Sequence, residues 1–270
     1  MQNVLRLSDI KVCVKGGGDL ASGVIWRLYQ CGFKVFITEI DQPTAVRRKV
    51  AFCEAIYDGS TVVEGVEALA VHTTHEVFPL WDQRKIPILV DPGCEARNVI
   101  RPDVLIDAIL AKRNIGTSIR DAPLVIALGP GFTAGRDAHF VVETNRGHNL
   151  GRLMTSGSAE DNTGVPGPVK GITIDRVLRS PAGGPWQNNM DIGDLVKKGD
   201  AVGSVAGLPV SALIDGVIRG MIHPGIMVSK GVKVCDIDPR GNRENCFTIS
   251  EKALSIAGGV LEGIFRIYGK

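Results

Sequence analysis

The sequence predicts an α/β protein in which a doubly wound, mostly parallel sheet is followed by a small all-β domain. Three features predict this arrangement: strand and helix patterns alternate over residues 1–150, a glycine turn joins the first strand to the first helix, and a glycine repeat occupies residues 192–234. Alternating strands and helices are typical of a parallel sheet with helices on both faces. The 270 residues are enough for two domains with cores of their own.

The first element is a strand that runs into a glycine cluster and then into a helix. The cluster and the start of the helix fit the pattern G-x-G-x-x-A and comprise Gly16, Gly17, Gly18, Asp19, Leu20 and Ala21. Such a turn lets backbone amides and a helix N-terminus face a phosphate. Glu39 ends the second predicted strand about 20 residues further on, where an acidic side chain meets a ribose hydroxyl in dinucleotide sites. We therefore expect a Rossmann-like domain for a nucleotide or cofactor over residues 1–155; a turn that binds nothing is the alternative.

The remaining elements of this domain continue the alternation. The patterns predict helices over 42–55 and 73–85 and strands within 60–71, 86–90, 104–109 and 124–128. A second glycine turn, Gly129-Pro130-Gly131, follows the last of these strands and is expected at the same sheet edge as the first turn.

A polar segment that follows the second glycine turn is rich in hydrogen-bond donors. Asn145, Arg146 and His148 are candidates to hold a phosphate or a carboxylate, although a solvated loop has the same composition. No spacing of the H-E-x-x-H kind occurs, so we expect no metal site.

The second half of the chain contains an internal repeat. Gly193 and Gly199 recur as Gly225 and Gly231 with the same spacing and similar neighbours. The repeat resembles the biotinyl/lipoyl-type barrel-sandwich fold, but no lysine lies between Lys198 and Lys230, so no amine is available for acylation there. We expect such a β domain, without a carrier lysine, over residues 165–246. Residues 247–270 are predicted to form a C-terminal helix, capped by Ser250, that packs back on the first domain.

Composition excludes several classes of function. The net charge of +2 gives no reason to expect nucleic acid or a membrane as a partner. Residues 1–9 show no signal-peptide pattern, and the six cysteines form no C-x-x-C pair, which is typical of reduced thiols in the cytoplasm. Cys94, which follows a predicted strand, is the thiol whose reactivity is worth testing.

Long motifs across the chain resemble one known family. They are Lys15 to Gly23, Thr38 to Arg48, Leu128 to Gly135, Glu143 to Gly151, Asp238 to Gly241 and Ile256 to Glu262. Together they resemble the YqeB-type accessory proteins of selenium-dependent molybdenum hydroxylase systems. The first domain is also similar, more distantly, to the Rossmann-like part of XdhC-type proteins, which help to mature the molybdenum cofactor of xanthine dehydrogenases.

The resemblance implies a role in maturation. It suggests that the chain handles molybdenum cofactor, its nucleotide form, or the sulfur or selenium ligand of the metal, with a hydroxylase subunit or other maturation proteins as partners. An oligomer is compatible with this role. A molybdopterin-type or dinucleotide ligand would suit the first glycine turn.

Two other functions fit the same residues. The first is an NAD(P)-dependent oxidoreductase that uses the same glycine turn. The second is a non-catalytic adaptor that docks a hydroxylase subunit. The resemblance supplies no catalytic residue, so whether the protein is an enzyme stays open.

Overall fold

The computed structural model describes residues 6–269. The expectation about a signal peptide rests in part on residues 1–5, which lie outside the described residues, as does Lys270. The chain divides into two compact units. The first contains residues 6–43, 52–162 and 249–269, and the second contains residues 44–51 and 163–248.

The first unit is built on a nine-stranded sheet. Its strands lie in the order β10-β9-β7-β6-β1-β2-β5-β4-β3. The seven strands from β9 to β4 in this order run parallel to one another, whereas the edge strands β3 and β10 are antiparallel to the strands beside them. Two short strands, β8 and β11, pair separately. The bounds are β1 (Lys11–Lys15), β2 (Lys34–Glu39), β3 (Ser60–Val63), β4 (Val66–Val71), β5 (Ile86–Val90), β6 (Val104–Asp107), β7 (Leu124–Leu128), β8 (Thr133–Ala134), β9 (Phe140–Val142), β10 (Leu153–Met154) and β11 (Gly157–Ser158).

Two long helices pack against each other in this unit. They are α1 (Asp19–Gln30) and α5 (Glu251–Tyr268), and the short helices are α2 (Ala55–Asp58), α3 (Val77–Asp82) and α4 (Ala96–Ile100). Helix α5 begins as predicted, because the Ser250 hydroxyl accepts a hydrogen bond from the Ala253 amide. A Cβ at Gly23 would lie 2.5 Å from the Ala253 Cβ, so the lack of a side chain at Gly23 is what lets α1 and α5 approach so closely.

The second unit consists of two antiparallel sheets. One has the order β12-β19-β17-β14 and the other β16-β15-β13-β18. Residues 44–51 join this unit: the Met221 amide donates to the Val46 carbonyl at 2.6 Å, and a Cβ at Gly220 would come 2.7 Å from that oxygen. The bounds are β12 (Val177–Arg179), β13 (Gly184–Asn188), β14 (Leu195–Val196), β15 (Ala201–Val205), β16 (Leu208–Ser211), β17 (Gly216–Met221), β18 (Met227–Val228) and β19 (Lys233–Asp238).

The chain is α/β, but the finer fold class predicted from the sequence is wrong. The structure is not a Rossmann-like, doubly wound sheet followed by a biotinyl/lipoyl-like barrel. The large sheet is mixed, and only α1 and α5 among its described helices exceed six residues. The predicted helix over 42–55 is divided between the two units and contains 3₁₀ turns and the start of the short α2. The tertiary contacts of residues 44–51 therefore override the local helical pattern.

The glycine repeat misled the prediction for a related reason. Its four glycines all have positive φ, from 85° to 99°, so the repeated letters specify turns of one conformation. The strands beside those turns are placed by partners distant in sequence: β14 pairs with β17, and β18 pairs with β13. A turn motif alone does not determine such pairings.

Candidate functional site

Polar groups gather where the parallel strands end. Strands β7, β6, β1 and β2 lie side by side and parallel, so the turns that follow them meet at one edge of the sheet. We call this region, formed by the turns that follow β1, β6, β7 and β9 together with Glu39 and Lys252, the carboxyl-edge site.

Contacts inside the protein fix two of the three glycines in the first glycine turn. Gly16 has φ +92°, its amide donates to the Thr38 carbonyl at 2.8 Å, and a Cβ there would lie 3.1 Å from the Ala108 carbonyl oxygen. The Gly17 amide donates to Glu39 Oε2 at 2.8 Å. A Cβ at Gly17 would lie 3.0 Å from the Cys53 amide nitrogen, so both glycines are needed for close packing.

Gly18 differs from its two neighbours. Its φ of −65° and ψ of 178° suit any residue, and a Cβ there would meet nothing within 4 Å. It is the N-cap of α1 and supplies no side-chain cap, so the amides of the first turn, from Asp19 through Leu20 to Ala21, face the edge without an acceptor inside the helix. The open space beside Gly18 thus adjoins the positive end of a 12-residue helix.

Glu39 lies directly beneath this turn. Its carboxylate accepts hydrogen bonds from the amides of Gly17 and Ile40, at 2.8 and 2.9 Å. Burial raises the pKa of Glu39, although both hydrogen bonds act in the opposite direction. Each carboxylate oxygen has a second lone pair, so the group can accept a further donor such as a hydroxyl.

The second glycine turn is closed. Gly129 and Gly131 have φ of +75° and +101°, and a Cβ at either would lie 2.5 Å from Thr144 Oγ1 or from the Arg113 backbone, respectively. Pro130, between them, is half-buried. These glycines bring the segment after β6 against the turn after β7, and they leave no room for a ligand at their own Cα atoms.

The predicted polar loop after β9 is held by a buried carboxylate. Glu143 accepts from the amides of Thr144, Asn145 and Glu160, each at 2.7 Å. The Asn145 side chain donates to Glu160 Oε2, also at 2.7 Å.

The two remaining donors of this loop are exposed. Arg146 forms an ion pair with Glu251 at 2.6 Å. His148 lies on the surface.

Lys252, which sequence reasoning missed, connects the parts of the site. It is the second residue of α5 and is half-buried. Burial lowers the pKa of Lys252, and the nearby cations Arg146 and Lys112 lower it further, while Asp19 and Glu143 act in the opposite direction. Nothing in the sequence pattern could have linked a residue of α5 to turns more than 100 residues away.

A buried polar triad supports the edge from below. Lys15 Nζ donates to Thr117 Oγ1, and this hydroxyl donates to Asp107 Oδ2, each at 2.6 Å. The three residues are at most 6% exposed. Their hydrogen bonds fix the ends of β1 and β6. The part of the site that could face a ligand is formed by the turns that follow these strands.

No metal centre is evident in the described part of the chain. Within residues 6–269, no three His, Cys, Asp or Glu side chains are grouped closely enough to hold an ion. The same residues contain no helix long and apolar enough to cross a lipid bilayer.

Comparison with known proteins identifies one close relative. The sequence is 46% identical, over 95% of its length, to the uncharacterized protein YqeB of Escherichia coli strain K12. Over that length, the chain is similar to YqeB. It spans 47% of that relative, about half, and no family model matches it. The resemblance stated from the motifs is thereby confirmed, while the name of the relative gives no function.

Solved structures offer only distant likenesses. An aspartoacylase family protein from Mesorhizobium loti shares 12% identity, with 84% of each chain covered and a TM-score of 0.28. A succinylglutamate desuccinylase/aspartoacylase from Rhodobacter sphaeroides shares 14% identity with the same coverage and a TM-score of 0.27. At these TM-scores, the likeness supports no inference about activity.

Proposed function

We propose that this YqeB-type chain is an accessory protein that binds the phosphate of a molybdopterin-type cofactor, or of its nucleotide form, during maturation of a selenium-dependent molybdenum hydroxylase. The motifs that resemble this family supply the cofactor class. The open space beside Gly18 at the N-terminus of α1 is the observation that carries the proposed site.

Charge supports a phosphate in that space. Burial and the cations Arg146 and Lys112 disfavour the protonated form of Lys252, while Asp19 and Glu143 favour it, and a further anion nearby would stabilise this form. The first-turn amides of α1 add donors and the favourable end of the helix dipole. A phosphate there would be held by Lys252 and by the amides of Leu20 and Ala21.

Glu39 suits the nucleotide form of the cofactor. Its carboxylate is held by a hydrogen bond from the amide of Gly17, the residue that precedes Gly18. A ribose hydroxyl beside the phosphate would donate to the lone pairs that the two amides leave unused. The same contact would serve NAD(P), so the oxidoreductase remains the second candidate.

Gly18→Ser is the decisive variant for this proposal. Serine caps a helix well and fits the backbone conformation of Gly18, so the fold is retained while the hydroxyl competes for the amides and fills the space. Gly258→Ser is the matched control, because a Cβ at Gly258 also meets nothing within 4 Å. Titration calorimetry with molybdopterin released from a molybdenum hydroxylase should show affinity at least about tenfold weaker for Gly18→Ser and unchanged for Gly258→Ser.

Three results would overturn the proposal in different ways. Equal affinity in wild type and Gly18→Ser would place the ligand elsewhere. Binding of NADP⁺ without binding of the pterin would favour the oxidoreductase. Capture of a hydroxylase subunit by a protein that binds neither ligand would favour the adaptor.

A further inference from the structure

Two cysteines distant in sequence meet beneath the sheet edge. The sulfur atoms of Cys13, in β1, and Cys94, in the segment after β5, lie 3.4 Å apart, and both residues are at most 1% exposed. The other described cysteines have no such contact with a second thiol among residues 6–269. We propose that Cys13 and Cys94 are a redox-active dithiol that a hydroperoxide converts to a disulfide.

The backbone holds Cys94 in place against Cys13. Cys94 has φ +57°, a left-handed conformation that is unfavourable for a residue with a Cβ. The Asp91 carboxylate fixes the segment by accepting the amides of Glu95 and Ala96 at 2.9 and 2.8 Å, and the Cys94 amide donates to the Asp91 carbonyl at 3.0 Å. This strained, firmly held turn directs the Cys94 sulfur toward its partner.

The two thiols have different chemical environments. The pKa of Cys94 is lowered, chiefly by the hydrogen bond from Cys13 and further by the Thr38 hydroxyl and the Lys15 charge, against the effect of burial. The pKa of Cys13 is raised well above its usual value, chiefly by burial. We assign Cys94, which the strained turn holds against Cys13 and which has the Thr38 hydroxyl beside it, as the nucleophile, and Cys13 as the thiol that resolves the intermediate.

The reaction proceeds in two balanced steps. The Cys94 thiolate attacks one oxygen of hydrogen peroxide and the O–O bond breaks, giving a sulfenic acid and hydroxide, which takes up the thiol proton to form water. Cys13 then attacks the Cys94 sulfur: the S–S bond forms, the S–O bond breaks, and the hydroxyl leaves as water with the proton of Cys13. The two thiols lose two electrons, and one peroxide is reduced to two waters. The sulfurs need to approach from 3.4 Å to about 2.05 Å.

The experiment uses the full chain with Cys31 replaced by serine. Cys31 is the described cysteine that is not buried, so its removal eliminates background oxidation. After brief treatment with hydrogen peroxide, mass spectrometry should show loss of two hydrogen atoms, and peptide mapping should identify a Cys13–Cys94 disulfide that dithiothreitol reverses. Cys235, whose pKa burial raises to about 12, is the internal control and should oxidise at least about tenfold more slowly.

Two variants test the assigned roles. Cys13→Ser should leave a Cys94 sulfenic acid that dimedone traps, because the resolving thiol is absent. Thr38→Val keeps the shape of the side chain but removes the hydroxyl beside Cys94, and should slow oxidation several-fold without abolishing it.

Two results would overturn the proposal. The first is that, in the wild-type chain with Cys31 present, Cys13 and Cys94 both stay reduced at peroxide concentrations that oxidise Cys31. The second is that all buried thiols oxidise at one rate, which would report unfolding. Both results are measured on chains that retain Cys13 and Cys94, so they remain valid even if the Cys13→Ser variant fails to fold. Neither depends on cofactor binding.

Discussion

The two glycine turns of the carboxyl-edge site look alike in sequence and differ in what surrounds them. In the turn after β7, Gly129 and Gly131 have positive φ, and their Cα atoms are pressed against neighbouring chain. In the turn after β1, Gly18 has ordinary dihedral angles and open space. A glycine that the fold requires has neighbouring chain where a Cβ would lie, whereas Gly18 leaves that space unfilled and available to a ligand. The difference separates a structural turn from a candidate binding turn.

The largest expected effect tests the closed turn. Gly131→Ala should lower the free energy of unfolding by about 2–4 kcal/mol, because φ is +101° and the new Cβ would lie 2.5 Å from the Arg113 backbone. Gly18→Ser should be neutral or stabilising by up to about 1 kcal/mol. Urea denaturation of both variants compares the turns directly. A similar loss of stability in both variants would contradict the structural difference between the two turns.

The next effect concerns the loop that carries Arg146. Glu143→Gln should cost about 1–3 kcal/mol, since the amide group cannot accept all three backbone amides that the carboxylate holds. Glu262→Gln, on the exposed face of α5, is the control and should change stability by less than about 0.5 kcal/mol. Thermal and urea unfolding measure both. An unchanged Glu143→Gln protein would mean that the loop is not held by this carboxylate.

Removing the charge of Lys252 should have a smaller effect, which raises the stability of the fold and lowers the affinity for the ligand. Its folded pKa is lowered, so its charged form opposes folding at neutral pH, and this opposition disappears as pH rises toward the unfolded value of about 10.4. Lys252→Met should therefore stabilise the ligand-free protein at pH 7, by less than about 1 kcal/mol, and weaken pterin binding. Denaturation at pH 7 and pH 10, with calorimetry, measures both. Weaker folding together with unchanged binding would contradict the charge assignment.

The smallest effect lies away from both turns. His139 Nδ1 accepts the Val125 amide at 3.0 Å, and burial lowers the pKa of His139. Stability should be complete above the unfolded pKa of about 6.5 and should fall as pH decreases toward the lower folded value. His139→Asn offers an acceptor that does not titrate, so its stability between pH 7 and pH 5 should decline less. Parallel curves for the two proteins would exclude His139 as the cause.

Local features of the fold could be predicted from the sequence. The strand, glycine turn and helix at residues 11–30 were, and so was α5 with its Ser250 cap, because periodicity and capping residues encode them directly. The fold class was not, since residues 44–51 join the second unit and the pairing of β3 with β4 and of β10 with β9 makes both edges of the large sheet antiparallel. At the site, Gly16, Gly17 and Glu39 could be grouped by spacing, whereas Lys252 and the Cys13–Cys94 pair arise from contacts between distant segments.

The glycines that let α5 approach its neighbours also determine when the site can form. Gly23 faces Ala253 on that helix, and Gly151 lies against Ser255. Lys252 reaches the site only when α5 is docked on these glycines. Under the proposed function, a chain in which α5 has not docked would lack this cation at the site and would bind the cofactor more weakly.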